Sequence, residues 1–185
     1  MFRRCSATER SRYCAVTLRL QGIDLDRLDC RLREQQVNNR YDRRMVLETI
    51  NFANHDLHAW GCNVFKWAVA TIREGNASEA YRALTGISAI GDKLATFYLR
   101  DVVLVEGIEA QIRGADYCYF QPVDTWVEQV ARSLWTLQRA DLGRTLIVKR
   151  KLIEACLAAG VSPLLFNVGA WMVGANAYRL LLEML

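Results

Sequence analysis

The fold is decided by residues 84–101, which read Leu-Thr-Gly-Ile-Ser-Ala-Ile-Gly-Asp-Lys-Leu-Ala-Thr-Phe-Tyr-Leu-Arg-Asp. Gly86 and Gly91 enclose a short turn, and an amphipathic helical pattern begins directly after it at Asp92. Gly91 lets the backbone come close to a partner, and the free amides at a helix start attract an anion such as phosphate. Lys93 lies in the first turn of this helix, where the helix dipole does not favour a cation. The segment therefore predicts helix, turn and helix, with Lys93 either placed for chemistry or simply exposed.

The composition predicts one all-α domain. The chain has 185 residues, of which 52% are hydrophobic and 24% are charged, so it can bury a core and is not a disordered or collagen-like chain. Two Pro and 11 Gly leave few residues for the turns of a sandwich or barrel. Because no repeat, low-complexity tract or linker divides the chain, residues 1–185 are predicted to form a single domain.

Helical spacing of apolar residues extends outward from this segment. A first helix begins near Leu25, and residues 41–72 carry the pattern of two helices that are broken near Asn54. Asn76 resembles the cap of a short helix that runs through Leu84. The pattern therefore places several short helices before the deciding turn.

A long uncharged run follows near the end of the chain. Residues 155–178 carry no charge and have the length of a membrane span. However, Gly160 is suited to end one helix, Ser162 to cap the next, and Pro163 to occupy its first position. The run is therefore predicted to form two buried helices of a protein with no membrane contact.

Charge and cysteine content exclude several classes of protein. The net charge is +4, which favours a polyanionic partner without requiring one. Residues 1–44 hold 11 Arg, and Arg144, Lys149, Arg150 and Lys151 form a second basic group; both are predicted to be solvated surface. The six cysteines contain no CxxC pair and only two His accompany them, so no metal site is predicted. Since no signal peptide precedes the first basic residues, we expect reduced thiols and a cytoplasmic location.

The second informative segment is residues 119–127, which read Tyr-Phe-Gln-Pro-Val-Asp-Thr-Trp-Val. Pro122 stiffens the chain, and Asp124 stands at the predicted N-cap of a helix that continues through Leu134. Asp124 taken alone is adequately explained as that cap. Taken with the first segment, the order is hairpin, lysine, helix, long connection, Pro-Val-Asp and helix.

This order resembles the helix–hairpin–helix (HhH-GPD) DNA glycosylase/AP lyase superfamily, which includes endonuclease III and the 8-oxoguanine glycosylases. Gly91-Asp92-Lys93 is similar to the family's Gly-x-Lys element, and Pro122-Val123-Asp124 is similar to the segment that carries its catalytic aspartate. The interval of 31 positions between Lys93 and Asp124 resembles that of the archaeal 8-oxoguanine glycosylases more than that of endonuclease III. The resemblance covers roughly residues 80–180, and residues 1–40 match nothing in the family.

Two departures from the family pattern are visible. Ala89 replaces the first glycine of the usual hairpin, so we expect an altered approach of the hairpin backbone to phosphate. The C-terminal cysteine quartet of endonuclease III is absent, so the resemblance implies no iron–sulfur cluster and no other cofactor.

The resemblance implies two helical lobes with a DNA-binding cleft between them, a helix–hairpin–helix motif at about residues 80–102 and a catalytic aspartate segment at 119–134. Lys93 is the implied nucleophile that forms a Schiff base with the sugar, and Asp124 is the carboxylate that stabilises the developing sugar cation. The hairpin residues Ser88, Ala89 and Gly91 are implied to hold a DNA phosphate. The aromatic candidates for the base pocket are Trp171, Trp126 and Trp60, each of which is also explained as core or surface.

The function implied is base-excision repair by a monomeric glycosylase with AP lyase activity. Its substrate is double-stranded DNA with an oxidised base, 8-oxoguanine in the first instance, in the nucleoid of the cytoplasm. The alternatives are an oxidised-pyrimidine glycosylase of the endonuclease III type and a catalytically degenerate DNA-binding protein. A helical interaction module with no nucleic-acid role is a further alternative.

Overall fold

The computed structural model describes residues 23–37, 39–134 and 145–177. Those residues form helices and turns with no strand, which confirms the all-α prediction for this part of the chain. The α-helices in it are α1 Leu25–Glu34, α2 Arg40–His55, α3 Val64–Arg73, α4 Ala77–Thr85, α5 Asp92–Glu106, α6 Thr125–Leu134, α7 Thr145–Ala158 and α8 Pro163–Met172. Short 3₁₀ turns occupy His58–Trp60, Glu109–Gln111 and Gly114–Phe120, and a π-turn at Val173–Ala177 follows α8.

The predicted helix boundaries are largely confirmed. α2 ends at His55, and the break before α3 contains Gly61 and Cys62, which both have a left-handed backbone with φ of 63° and 56°. At the start of α8 the Ser162 hydroxyl accepts a hydrogen bond from the Leu165 amide at 3.0 Å, and Pro163 is the first helical residue.

One predicted cap is not made. α4 begins at Ala77 as predicted, but the side chain of Asn76 makes no capping hydrogen bond. The physical reason lies in its backbone, since its φ of −103° and ψ of 38° differ from the extended conformation that directs a cap side chain toward the helix amides.

The buried side chains form two clusters. The larger one joins α3, α4 and α5 to the turn at Gly114–Phe120, and Leu99, Val103 and Phe120 at its centre are 0% exposed. The smaller one lies between α6, α7 and α8 and is formed by Val127, Leu152, Cys156 and Ala170. The first turn of α5 and the segment before α6 both contribute residues to one cavity.

No single helix in the three described ranges is long and apolar enough to cross a membrane. Within those ranges one helix pair, Thr145–Ala158 with Pro163–Ala175, has the length and composition of a span, and it is bent by 116° at its break. Gly160 lies in that break with φ of 67°, as expected for a residue that ends a helix.

Candidate functional site

Lys93 and Asp124 line the same cavity, which has a volume of about 250 Å³. Lys93 lies in the first turn of α5, and Asp124 is the residue just before α6. The remaining walls come from the residues around the start of α6 and from the start of α7, namely Val123, Thr125, Glu128, Thr145 and Val148. The cavity thus brings together the two residues that the sequence singled out.

The Lys93 amine is exposed and makes no hydrogen bond or ion pair with the residues that the structure describes. It stands directly after Asp92, the first residue of α5, and Gly91 precedes the helix with extended backbone. A lysine in this position can contact a ligand that enters the cavity.

Asp124 is held in one orientation by the helix that it precedes. Its Oδ1 accepts hydrogen bonds from the amides of Trp126 at 3.1 Å and Val127 at 2.9 Å, so the predicted N-cap is confirmed. The other carboxylate oxygen makes no hydrogen bond within the described residues. Asp124 therefore caps α6 through one oxygen and has a second oxygen available on a side chain that lines the cavity.

A buried network supports the segment that carries Asp124. The carbonyl of Pro122 accepts a hydrogen bond from Asn167 Nδ2 at 2.8 Å, and Asn167 Oδ1 accepts one from Arg100 Nη1 at 2.8 Å. Arg100 lies on α5, two turns after Lys93, and also pairs with Asp101 at 2.7 Å. The network thus ties the helix of Lys93 to the backbone two residues before Asp124.

A second cluster surrounds the carboxylate of Asp92. Lys149 Nζ lies 2.6 Å from Asp92 Oδ1 and donates to the carbonyl of Cys118 at 3.3 Å, and the Tyr81 hydroxyl donates to the same Asp92 oxygen at 3.0 Å. Burial and the hydrogen bond to Asp92 raise the pKa of Tyr81 to about 12. Burial likewise raises the pKa of the Cys118 thiol.

The prediction that Lys149 belongs to a solvated basic surface is wrong, since Lys149 is only 4% exposed. The reason is its ion pair with Asp92, a residue 57 positions away that supplies the opposite charge for a buried ammonium. Arg150, the next residue, is exposed as predicted, whereas Arg144 lies outside the described residues.

The hairpin residues have a distinct local geometry. Ala89 adopts a left-handed backbone with φ of 64°, the conformation that glycine adopts without strain. Ser88 donates from its amide to Glu48 Oε2 at 2.6 Å and from its hydroxyl to Glu48 Oε1 at 2.8 Å. At Gly91 an added Cβ would meet no atom within 4 Å, so the space beside this residue is open.

The bond from the Ser88 amide is the main cause that lowers the pKa of Glu48 to about 2, followed by the hydrogen bond from Arg44. The turn residue Ser88 therefore holds one anionic group, the Glu48 carboxylate of α2. Sequence reasoning missed Glu48, because the contact joins residues 40 positions apart and no local pattern indicates it.

None of the three tryptophans proposed for a base pocket is among the residues that line the cavity. Trp171 on α8 is 40% exposed, Trp126 on α6 is half-buried, and neither is among the residues that line the cavity. Trp60 lies with Lys66 and Arg73 along a separate open groove on α3. The cavity residues that sequence reasoning missed are Glu128, Thr145 and Val148. Of these, only Glu128 had any signal in the sequence, because it lies on the helix predicted after Asp124.

Within the described residues, no group of three or more His, Cys, Asp or Glu is arranged to hold a metal ion. Comparisons of the chain with protein-family models, with curated proteins and with solved structures found no match.

Proposed function

We propose that this protein is a DNA glycosylase with AP lyase activity, in which Lys93 is the nucleophile and Asp124 the stabilising carboxylate. The observation that carries the proposal is the shared cavity of these two residues, which are 31 positions apart in the chain. An amine and a carboxylate that converge on one cavity are the groups needed to displace a base from a sugar. In this proposal α4, residues 86–91 and α5 form a helix–hairpin–helix motif, and DNA binds in a cleft between two helical lobes.

The reaction begins with the neutral Lys93 amine, whose lone pair attacks C1′ of the deoxyribose. The bond from C1′ to the base breaks, and the base leaves with that electron pair and takes up the proton that the amine loses. The ring oxygen O4′ then takes up a proton from solvent as its bond to C1′ breaks, and the nitrogen lone pair forms a protonated Schiff base with C1′.

Strand cleavage follows from the same intermediate. A proton is lost from C2′, and the electron pair of the broken C2′–H bond forms a double bond between C2′ and C3′. The 3′-phosphate leaves with the electrons of the C3′–O bond. Water then hydrolyses the Schiff base, which returns the Lys93 amine and releases the sugar as an aldehyde. These reaction steps need no metal and no redox partner.

Asp124 stabilises the positive charge that develops on the sugar when the base departs. Its cap hydrogen bonds hold one oxygen against α6, so the carboxylate needs no reorganisation when that charge appears. Such preorganisation is what makes a charged group effective in a transition state.

The hairpin supplies contacts to the DNA backbone in this proposal. The Glu48 carboxylate on the Ser88 amide supports the view that the turn binds anions, and a DNA phosphate that binds there takes the place of Glu48. The proposed substrate is double-stranded DNA with an oxidised base, 8-oxoguanine first, and the protein acts as a monomer on nucleoid DNA in the cytoplasm.

The test is covalent trapping. Borohydride reduces the Schiff base and leaves a stable protein–DNA complex on a duplex that contains 8-oxoguanine, thymine glycol or an abasic site. Lys93→Gln removes the amine and abolishes trapping, whereas Lys66→Gln, the same change on a different surface, leaves it intact.

Each other outcome has a defined meaning. Trapping by Lys93→Gln at the wild-type level assigns the reaction to another amine. A wild-type protein that binds DNA in a salt-dependent manner but never traps or excises is a binding protein without catalysis.

A further inference from the structure

The cavity that contains Lys93 is lined by two carboxylates. Glu128 lies on α6 one turn after Asp124, and its amide donates to the Asp124 carbonyl at 2.9 Å. Residues four positions apart are neighbours on one face of a helix, which is how both side chains come to line the same cavity. The reaction proposed above uses only Asp124 and leaves Glu128 without a role.

The Glu128 carboxylate has one oxygen in an ion pair and one oxygen open. Its Oε1 accepts a hydrogen bond from Arg132 Nη2 at 3.0 Å, and the side chain is 24% exposed. Its Oε2 makes no hydrogen bond within the three described ranges. A pair of this kind on a helix surface contributes little to stability, and a carboxylate repels the phosphates of DNA. The pair with Arg132 is therefore a weak reason for a second negative charge in this cavity.

One proton transfer of the proposed reaction has no group assigned to it. Strand cleavage requires a base that takes the proton from C2′, at a stage when the Lys93 nitrogen is already bonded to the sugar. Four of the lining residues are apolar or carry a hydroxyl, which is a poor proton acceptor, namely Val123, Thr125, Thr145 and Val148. The carboxylates of Asp124 and Glu128 are the lining groups that remain.

We infer that Glu128 is the catalytic base of the strand-cleavage step. The inference rests on the proposed function, since it assigns a proton acceptor to the elimination that follows Schiff-base formation. Asp124 is held by two cap hydrogen bonds and supplies its charge when the base departs. Glu128 has the longer side chain of the two, and its open oxygen is available to a sugar in the cavity.

The proton passes through Glu128 in two stages. The carboxylate takes the proton from C2′, and the electron pair of that C–H bond forms the double bond between C2′ and C3′. The C3′–O bond breaks, and the 3′-phosphate leaves with its electrons. The protonated Glu128 then gives its proton to water, which restores the carboxylate.

The experiment uses a duplex with an abasic site and two readouts, borohydride trapping of the Schiff base and cleavage of the strand. An abasic site has no base to excise, so the measurement begins at Schiff-base formation. Glu128→Gln keeps the side-chain length and an oxygen for the bond from Arg132, but it removes the basic carboxylate. Cleavage in a single turnover slows by roughly 10²–10⁴-fold, as expected for loss of a general base. The trapped fraction does not fall, because the Schiff base accumulates.

Arg132→Gln is the matched control. It removes the same ion pair and leaves the carboxylate of Glu128 in the cavity, so it retains cleavage. Glu154→Gln makes the same charge change on the exposed side of α7 and also retains it. A loss of cleavage in Arg132→Gln as large as that in Glu128→Gln assigns the effect to the ion pair and overturns the inference.

The inference and the proposed function fail in different ways. A Glu128→Gln protein that traps and cleaves like the wild type overturns the inference alone. A folded Glu128→Gln protein that neither traps nor cleaves also overturns it, because the loss then precedes the elimination. If circular dichroism shows that Glu128→Gln is unfolded, Glu128→Asp decides in its place, since a shortened base must slow cleavage more than trapping and equal effects overturn the inference. A wild-type protein that never traps overturns both.

Discussion

Arg100 and Asn167 are 67 positions apart in the chain, and their side chains meet in the interior with Arg100 Nη1 donating to Asn167 Oδ1 at 2.8 Å. Asn167 is 0% exposed and uses its amide nitrogen for the carbonyl of Pro122. One asparagine therefore satisfies a buried cation and a buried carbonyl and fixes the distance between α5 and the Asp124 segment.

Asn167→Ala removes the hydrogen-bond partner of the Pro122 carbonyl and of Arg100 Nη1, while Arg100 keeps its pair with Asp101. Because an unsatisfied buried group costs about 1–3 kcal/mol, we expect the free energy of unfolding to fall by at least about that amount, measured by urea denaturation. Asn51→Ala, which changes an exposed asparagine on α2, serves as the control. Equal stability of the two variants would show that the network contributes nothing to the fold.

Gly174, in the π-turn that follows α8, packs against Trp126 on α6. A Cβ at Gly174 would lie 2.5 Å from Trp126 Cβ and 3.2 Å from its Cα, and neither atom can move without the helix. Gly174→Ala is therefore expected to cost about 1–3 kcal/mol of stability, as overpacked sites do. At Gly169 on α8 an added Cβ meets no atom within 4 Å, so Gly169→Ala is expected to be neutral or stabilising. Thermal melts of the two variants and the wild type measure the difference.

Ala89 carries the strain of a left-handed backbone, with φ of 64°. Relief of that strain by glycine is worth about 1–2 kcal/mol, and the greater freedom of glycine in the unfolded chain costs about 0.4–1 kcal/mol. Ala89→Gly is therefore expected to stabilise the protein by between about 0 and 1.6 kcal/mol. Ala110→Gly, at an exposed residue without positive φ, is expected to be neutral or destabilising, and a loss of stability in Ala89→Gly would contradict the assigned backbone.

Local signals explain why so much of the fold was predictable. Some features depend only on neighbouring residues, and the structure has them where the sequence predicts them. They are the helix caps at Asp124 and Ser162 and the helix break at Gly160. The burial of Lys149 was not predictable, because it depends on a partner 57 positions away. The shared cavity of Lys93 and Asp124 was expected only from a family resemblance. The sequence did not indicate that Trp171, Trp126 and Trp60 are all absent from its lining.

The contact between Glu48 and Ser88 makes stability depend on pH. The pKa of Glu48 is lowered from 4.5 to about 2 in the folded protein, so its contribution is complete above 4.5 and is lost as the pH falls toward 2. Glu48→Gln is therefore expected to be less stable than the wild type near neutral pH, with a difference that shrinks as the pH falls. Urea midpoints over this range test the expectation, with Glu154→Gln on the exposed side of α7 as the control.

Asp124 has two separable roles, because asparagine retains one of them. Asp124→Asn keeps an N-cap oxygen as effective as that of aspartate, so its stability is expected to match the wild type. It lacks the negative charge that stabilises the sugar cation, so excision of 8-oxoguanine is expected to slow by roughly 10²–10⁴-fold. Asp124→Ala loses the hydrogen bonds to Trp126 and Val127 as well and is expected to lose a further 0.5–2 kcal/mol or so of stability. Single-turnover excision and urea denaturation of both variants separate the two roles, and full activity in a stable Asp124→Asn protein would leave Asp124 as a helix cap alone.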